Sequence, residues 1–130
     1  MGKLSGSEKY LIIVSALVIV IFSALGFYLI DGAPKIKSLV AAGHNHILSF
    51  AYGALLFAWV IRRATVSEGV KKGLAVWMSL TFLGPLALIY AGFTGKTGLL
   101  DTTGVLFEGS FVVLWLIAAY LIATRKEPAV

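Results

Sequence analysis

The chain contains no cysteine, which excludes disulfides, thiolate metal sites and covalent heme attachment through Cys-x-x-Cys-His. It is also poor in charge. Asp, Glu, Lys and Arg make up 13% of the residues, against 59% that are hydrophobic. An average soluble domain carries about twice that share of charge. No phosphate-binding loop, nucleophile–base–acid set or nucleotide fingerprint is present, and there is no internal repeat or low-complexity tract. The net charge of +5 does not indicate a nucleic-acid partner. The basic residues lie at the ends of apolar segments rather than along one face, as membrane orientation requires.

What is there is a set of four apolar runs, read as one four-span transmembrane domain over residues 1–130. Tyr10 to Ile30 is unbroken and long enough to cross a hydrocarbon core of about 30 Å at 1.5 Å per residue. It is too long for the apolar part of a secretory signal, so a retained helix is expected. Asp31-Gly32-Ala33-Pro34 ends it. The second span is expected from Leu39 or Gly43 to Ile61, closing on Arg62-Arg63. The third runs from Gly73 to Phe93 with Gly84-Pro85 in its middle, where Pro85 removes a backbone donor and predicts a kink. The fourth runs from Gly104 to Thr124. The expected fold is an all-α integral membrane four-helix bundle, up-down-up-down, in the plasma membrane and in contact with the lipid bilayer.

Orientation follows from the basic residues. With a cytoplasmic N-terminus, the inner side collects Lys3, Lys9, Arg62, Arg63, Lys71, Lys72, Arg125 and Lys126, and the outer side only Lys35, Lys37 and Lys96. Both termini are therefore expected inside. His44, His46, Asp101 and Glu108 then lie near the outer face.

His44 and His46 are the only histidines. An imidazole at the edge of the hydrocarbon needs a partner. Two residues apart on a helix means roughly 200° of rotation, so the rings point to opposite sides and do not share a metal in one helix. His44 shares a face with Leu48, Ala51, Leu55 and Ala58, and its two small residues leave room for a flat macrocycle. His46 shares a face with Ser49, Phe50, Gly53 and Phe57, where Ser49 and Gly53 suit close helix contact. The plain alternative for either ring is a hydrogen bond to a loop carbonyl or water. Glu108 reads first as a helix-start carboxylate favoured by the N-terminal dipole. Its functional reading is a proton or metal site with His46.

The run His44 to Gly53, with Phe50-Ala51-Tyr52-Gly53 following a first span and a short link, resembles the second helix of subunit I in the heme–copper oxidase superfamily. It is most similar to the cytochrome oxidases and nitric oxide reductases with b-type heme. Leu88-Ile89-Tyr90-Ala91-Gly92-Phe93-Thr94-Gly95-Lys96 resembles the end of the third of those helices, and Arg125-Lys126-Glu127-Pro128 the turn after the fourth. The chain also resembles short stand-alone four-helix relatives that share a Gly-His-x-His opening. The resemblance implies His44 as an axial ligand of a b-type heme, with propionates toward Lys35, Lys37 and Lys96. The later helices that carry the second low-spin ligand and the copper histidines have no counterpart here, so reduction of oxygen or nitric oxide is not expected. A second ligand would be His46, a symmetry mate's histidine or none; since His44 and His46 diverge, a homo-oligomer sharing heme or a five-coordinate heme is the expected geometry.

The expectation is thus a b-type heme protein for electron transfer or gas sensing, with a redox or membrane-complex partner. Two other expectations stand beside it. One is a cofactor-free accessory subunit of a membrane complex. The other is a proton or divalent-metal site, zinc or copper, built from His44 or His46 with Glu108, for which Asp101 is the one further candidate ligand.

Overall fold

The structure, a computed structural model, describes residues 3–125. The turn Lys126-Glu127-Pro128 lies outside the described residues. Six α-helices and one π turn make up four long rods, and no strand occurs among the described residues. All four rods are long and apolar enough to cross a membrane.

The first rod is α1, Gly6–Asp31. Ser5 caps it in a reciprocal box: its Oγ accepts from the Glu8 backbone N–H at 3.4 Å, and the Glu8 carboxylate accepts from the Ser5 N–H. Two of the helix's orphan donors are satisfied this way. The helix stops at Asp31, as its turn residues predict, and Gly32 donates back to the Tyr28 carbonyl.

The second rod, α2, is Lys37–Arg63. It starts earlier than the apolar run suggests. The Ile36 N–H, just before it, donates to the Gly92 carbonyl at 2.9 Å and so ties the first link to the end of the third rod. His44 and His46 consequently sit about two turns inside a formed helix.

The third rod is α3, Glu68–Leu80, followed by α4, Leu83–Thr94. Ser67 caps α3 by accepting from the Val70 N–H at 3.3 Å. The break falls at Thr81-Phe82, one turn before Pro85. Proline has no N–H to offer the Thr81 carbonyl, and the backbone there closes on three-residue bonds: Thr81 to Met78, Phe82 to Ser79 and Gly84 to Thr81. The helix is thus interrupted one turn before the proline, giving two helices within one rod. Gly95 ends α4 in the left-handed conformation, φ 74°, and donates to the Ala91 carbonyl. A glycine is needed at such a position.

The fourth rod is α5, Leu100–Thr103, then a π turn at Gly104–Glu108, then α6, Gly109–Ala123. The π turn is the one departure from regular helix that the sequence did not announce.

Burial divides the rods into two classes. In their most apolar stretches the second and third are 44% and 50% buried, while the first and fourth are 17% and 11% buried. The central pair packs through glycines. A Cβ on Gly43 would lie 2.7 Å from the Pro85 carbonyl oxygen, and one on Gly92 would lie 2.9 Å from the Val40 nitrogen. Backbone meets backbone there, as small residues permit between membrane helices. A core of Phe57, Ile61, Met78, Leu114 and Ala118 joins the rods, with Leu11 contributed by α1.

Candidate functional site

The two histidines of α2 leave the helix in different directions, as their spacing requires, and meet different rods. His44 turns toward α1. Its Nε2 lies 2.9 Å from the Phe22 carbonyl oxygen and donates to it in the neutral Nε2–H tautomer. The ring fits there because α1 has no side chain opposite: a Cβ on Gly26 would stand 2.6 Å from Nε2. The plain alternative for His44, a carbonyl partner, is what the structure shows, although the carbonyl belongs to a helix rather than a loop.

His46 turns toward the fourth rod. Its Nδ1 lies 3.0 Å from Glu108 Oε1, and both side chains are partly exposed. Glu108 is not a helix-start carboxylate. The rod begins at Leu100, so Glu108 stands two turns in, at the end of the π turn. The dipole reading therefore gives way to the pairing with His46. The Glu108 stem passes Gly84 of α4, where an added Cβ would meet Glu108 Cγ at 3.3 Å. Second, third and fourth rods thus converge at this pair. A π turn inserts one extra residue into a helix and re-aims the side chains beyond it, and such turns cluster at functional sites.

Beneath the pair runs a column of rings. His46 and Phe50 are nearly parallel, with centroids 6.3 Å apart; Phe50 stacks on Phe111 at 4.0 Å and 2°; Phe111 meets Trp115 edge-on at 6.4 Å. Gly53 makes the notch for this, since a Cβ there would lie 2.6 Å from Phe111. The small residue picked out on the His46 face serves the close contact expected of it.

The other candidate residues lie apart from this pair. Ala51, expected to leave space beside His44, is fully buried in the core. Lys35, Lys37 and Lys96 are exposed, with the Lys35 chain passing near Gly95. Asp101 is exposed on α5 and does not join His46 and Glu108. Among the described residues no group of three or more His, Asp or Glu side chains is able to hold a metal ion.

At the opposite end of the bundle sits a carboxylate that the motifs did not single out. Glu8 is almost fully buried, and its Oε1 lies 3.5 Å from Arg62 Nε, a charge contact without hydrogen-bond geometry. A Ser-x-x-Glu pattern before an apolar run was the available signal for its capping role. Nothing local announced Arg62 as a partner. Tyr10 and Ser79 join α1 to α3 near the same end, with hydroxyls 2.9 Å apart.

Comparison with known protein families, with curated proteins and with solved structures finds no match for this chain, so the likeness to heme–copper oxidase subunit I rests on the residues quoted for it alone.

Proposed function

We propose that the chain is a multi-pass membrane protein whose working element is a cation site formed by His46 and Glu108, taking a proton or a divalent metal. The single observation behind this reading is the 3.0 Å contact between imidazole and carboxylate across two rods. An ionisable pair inside a span is costly, and such pairs mark proton and ion sites. With two protein ligands, a zinc or copper ion would be completed by water or by a second copy of the chain in a homo-oligomer; a proton needs no third group. The reading includes an up-down-up-down arrangement with both termini cytoplasmic, supported by the eight-to-three distribution of basic residues, and placement in the plasma membrane.

The test is calorimetric titration of the detergent-purified protein with protons and with zinc, for wild type, His46→Gln and Glu108→Gln. Each amide variant is expected to abolish zinc uptake and to remove one titrating group. Titrations that coincide for all three proteins would end the proposal. A b-type heme on His44 is the competing proposal. It requires the ring to exchange the Phe22 carbonyl for iron or to use Nδ1 instead. A Soret band in protein from heme-replete cells, lost in His44→Ala, is its signature, and a colourless preparation counts against it.

A further inference from the structure

All three arginines of the chain, Arg62, Arg63 and Arg125, line one cavity with Trp59. They come from two rods, the end of α2 and the end of the fourth, and the cavity measures about 440 Å³. The other eight basic residues are lysines, and none of the seven among the described residues lines it. Orientation alone asks only for positive charge, which lysine supplies equally well. Gathering every guanidinium, and no ammonium among the described residues, round one hollow is a selection of chemistry. The guanidinium is a rigid fork of donors that matches a phosphate in two-point contact.

The surroundings narrow the ligand. The Arg63 guanidinium carbon lies over the Trp59 ring, 3.8 Å from its centroid, a cation–π contact that holds the fork at the rim. Among the described residues no carboxylate pairs with Arg63 or Arg125, while Arg62 faces Glu8. Trp59, Arg63 and Arg125 are shared with an adjoining cleft whose floor is Val60, Leu121 and Ile122. A cationic cup that opens onto an apolar cleft between two rods has the two-part character of a phospholipid. We infer that this end of the bundle binds an anionic phospholipid of the adjacent leaflet, its phosphate among the arginines and an acyl chain entering the cleft between α2 and α6. Basic pockets between membrane helices on the cytoplasmic side bind such headgroups. The site rests on the membrane-spanning part of the proposed function and is independent of His46 and Glu108.

Native mass spectrometry tests it, with detergent-purified protein offered equal amounts of phosphatidylglycerol and phosphatidylcholine. Wild type is expected to retain one phosphatidylglycerol in preference. Arg63→Gln/Arg125→Gln, which leaves Arg62 and its contact with Glu8 in place, is expected to lose the preference by roughly thirtyfold. Arg63→Lys/Arg125→Lys, with charge kept and the fork removed, is expected to fall between the two. Equal retention of both lipids by wild type, or lysine and arginine proteins that behave alike, would overturn the built site. Displacement of phosphatidylglycerol by excess inorganic phosphate would overturn the lipid assignment in favour of a free anion. Circular dichroism confirms that each variant is folded, and Arg125→Gln alone, at the exposed end of the fourth rod, serves where the double variant is not. Failure of the protein to insert into bilayers would instead strike the membrane reading itself.

Discussion

Gly26 and His44 fit each other as a notch and a key. The ring occupies the place a Gly26 side chain would take and donates to the Phe22 carbonyl one turn away. Gly26→Ala should therefore push the imidazole off that carbonyl, at about 1–3 kcal/mol for overpacking. In a His44→Ala background the same substitution should be neutral or gain up to about 1 kcal/mol, because alanine is the better helix former. Thermal unfolding of the four proteins in detergent, arranged as a double-mutant cycle, reads the coupling; additive effects would mean that the two residues do not touch. Ser5 and Glu8 give a second comparison at this scale. Ser5→Ala removes one cap, worth about 1 kcal/mol. Glu8→Ala removes the other half of the box and also the buried carboxylate facing Arg62, so it should cost clearly more by the same measurement.

Among the elements, the fourth rod has the least buried attachment. It is fixed by Leu114 and Ala118 in the core, by the stack of Phe111 on Phe50, by the notch at Gly53 and by the His46–Glu108 contact. Phe111→Ala removes the largest of these, and Phe→Ala in a packed site costs about 3–5 kcal/mol at most. Hydrogen exchange should then quicken along α6 before it does along α2; uniform acceleration across all rods would contradict a separately held fourth rod. The elements also show what is legible in the sequence. The four apolar runs, the stop at Asp31 and the divergence of His44 and His46 follow from length, turn residues and helical angle, all of which are local. The start of α2 is not legible, because a bond from Ile36 to Gly92 extends the helix beyond its apolar run. The place of Glu108 near the outer face, level with His46, is legible, whereas α5 and the π turn that precede it are not. The carbonyl partner of His44 and the gathering of the arginines depend on contacts between rods that composition does not record.

Over the whole molecule, apolarity and burial run in opposite directions, since the two most apolar rods are the two least buried. In water that order would be self-defeating; in lipid it is required, because an outer rod must be apolar on every side, while an inner one is free to carry His44, His46 and polar links. Tyr28, Val20, Leu116 and Tyr120 accordingly face outward. The same distribution fixes what orientation implies. Lys96 lies in the link between α4 and α5, while Glu68 opens α3 at the other end of the third rod. The absence of cysteine makes this directly readable, because a single introduced thiol is the only one present. In intact cells a membrane-impermeant maleimide should label Lys96→Cys and leave Glu68→Cys untouched until the membrane is opened. The reverse pattern would invert the bundle and place the arginine cup in the outer leaflet. Labelling of both in intact cells would mean that Lys96 and Glu68 share one side, which a third rod that crosses the bilayer forbids.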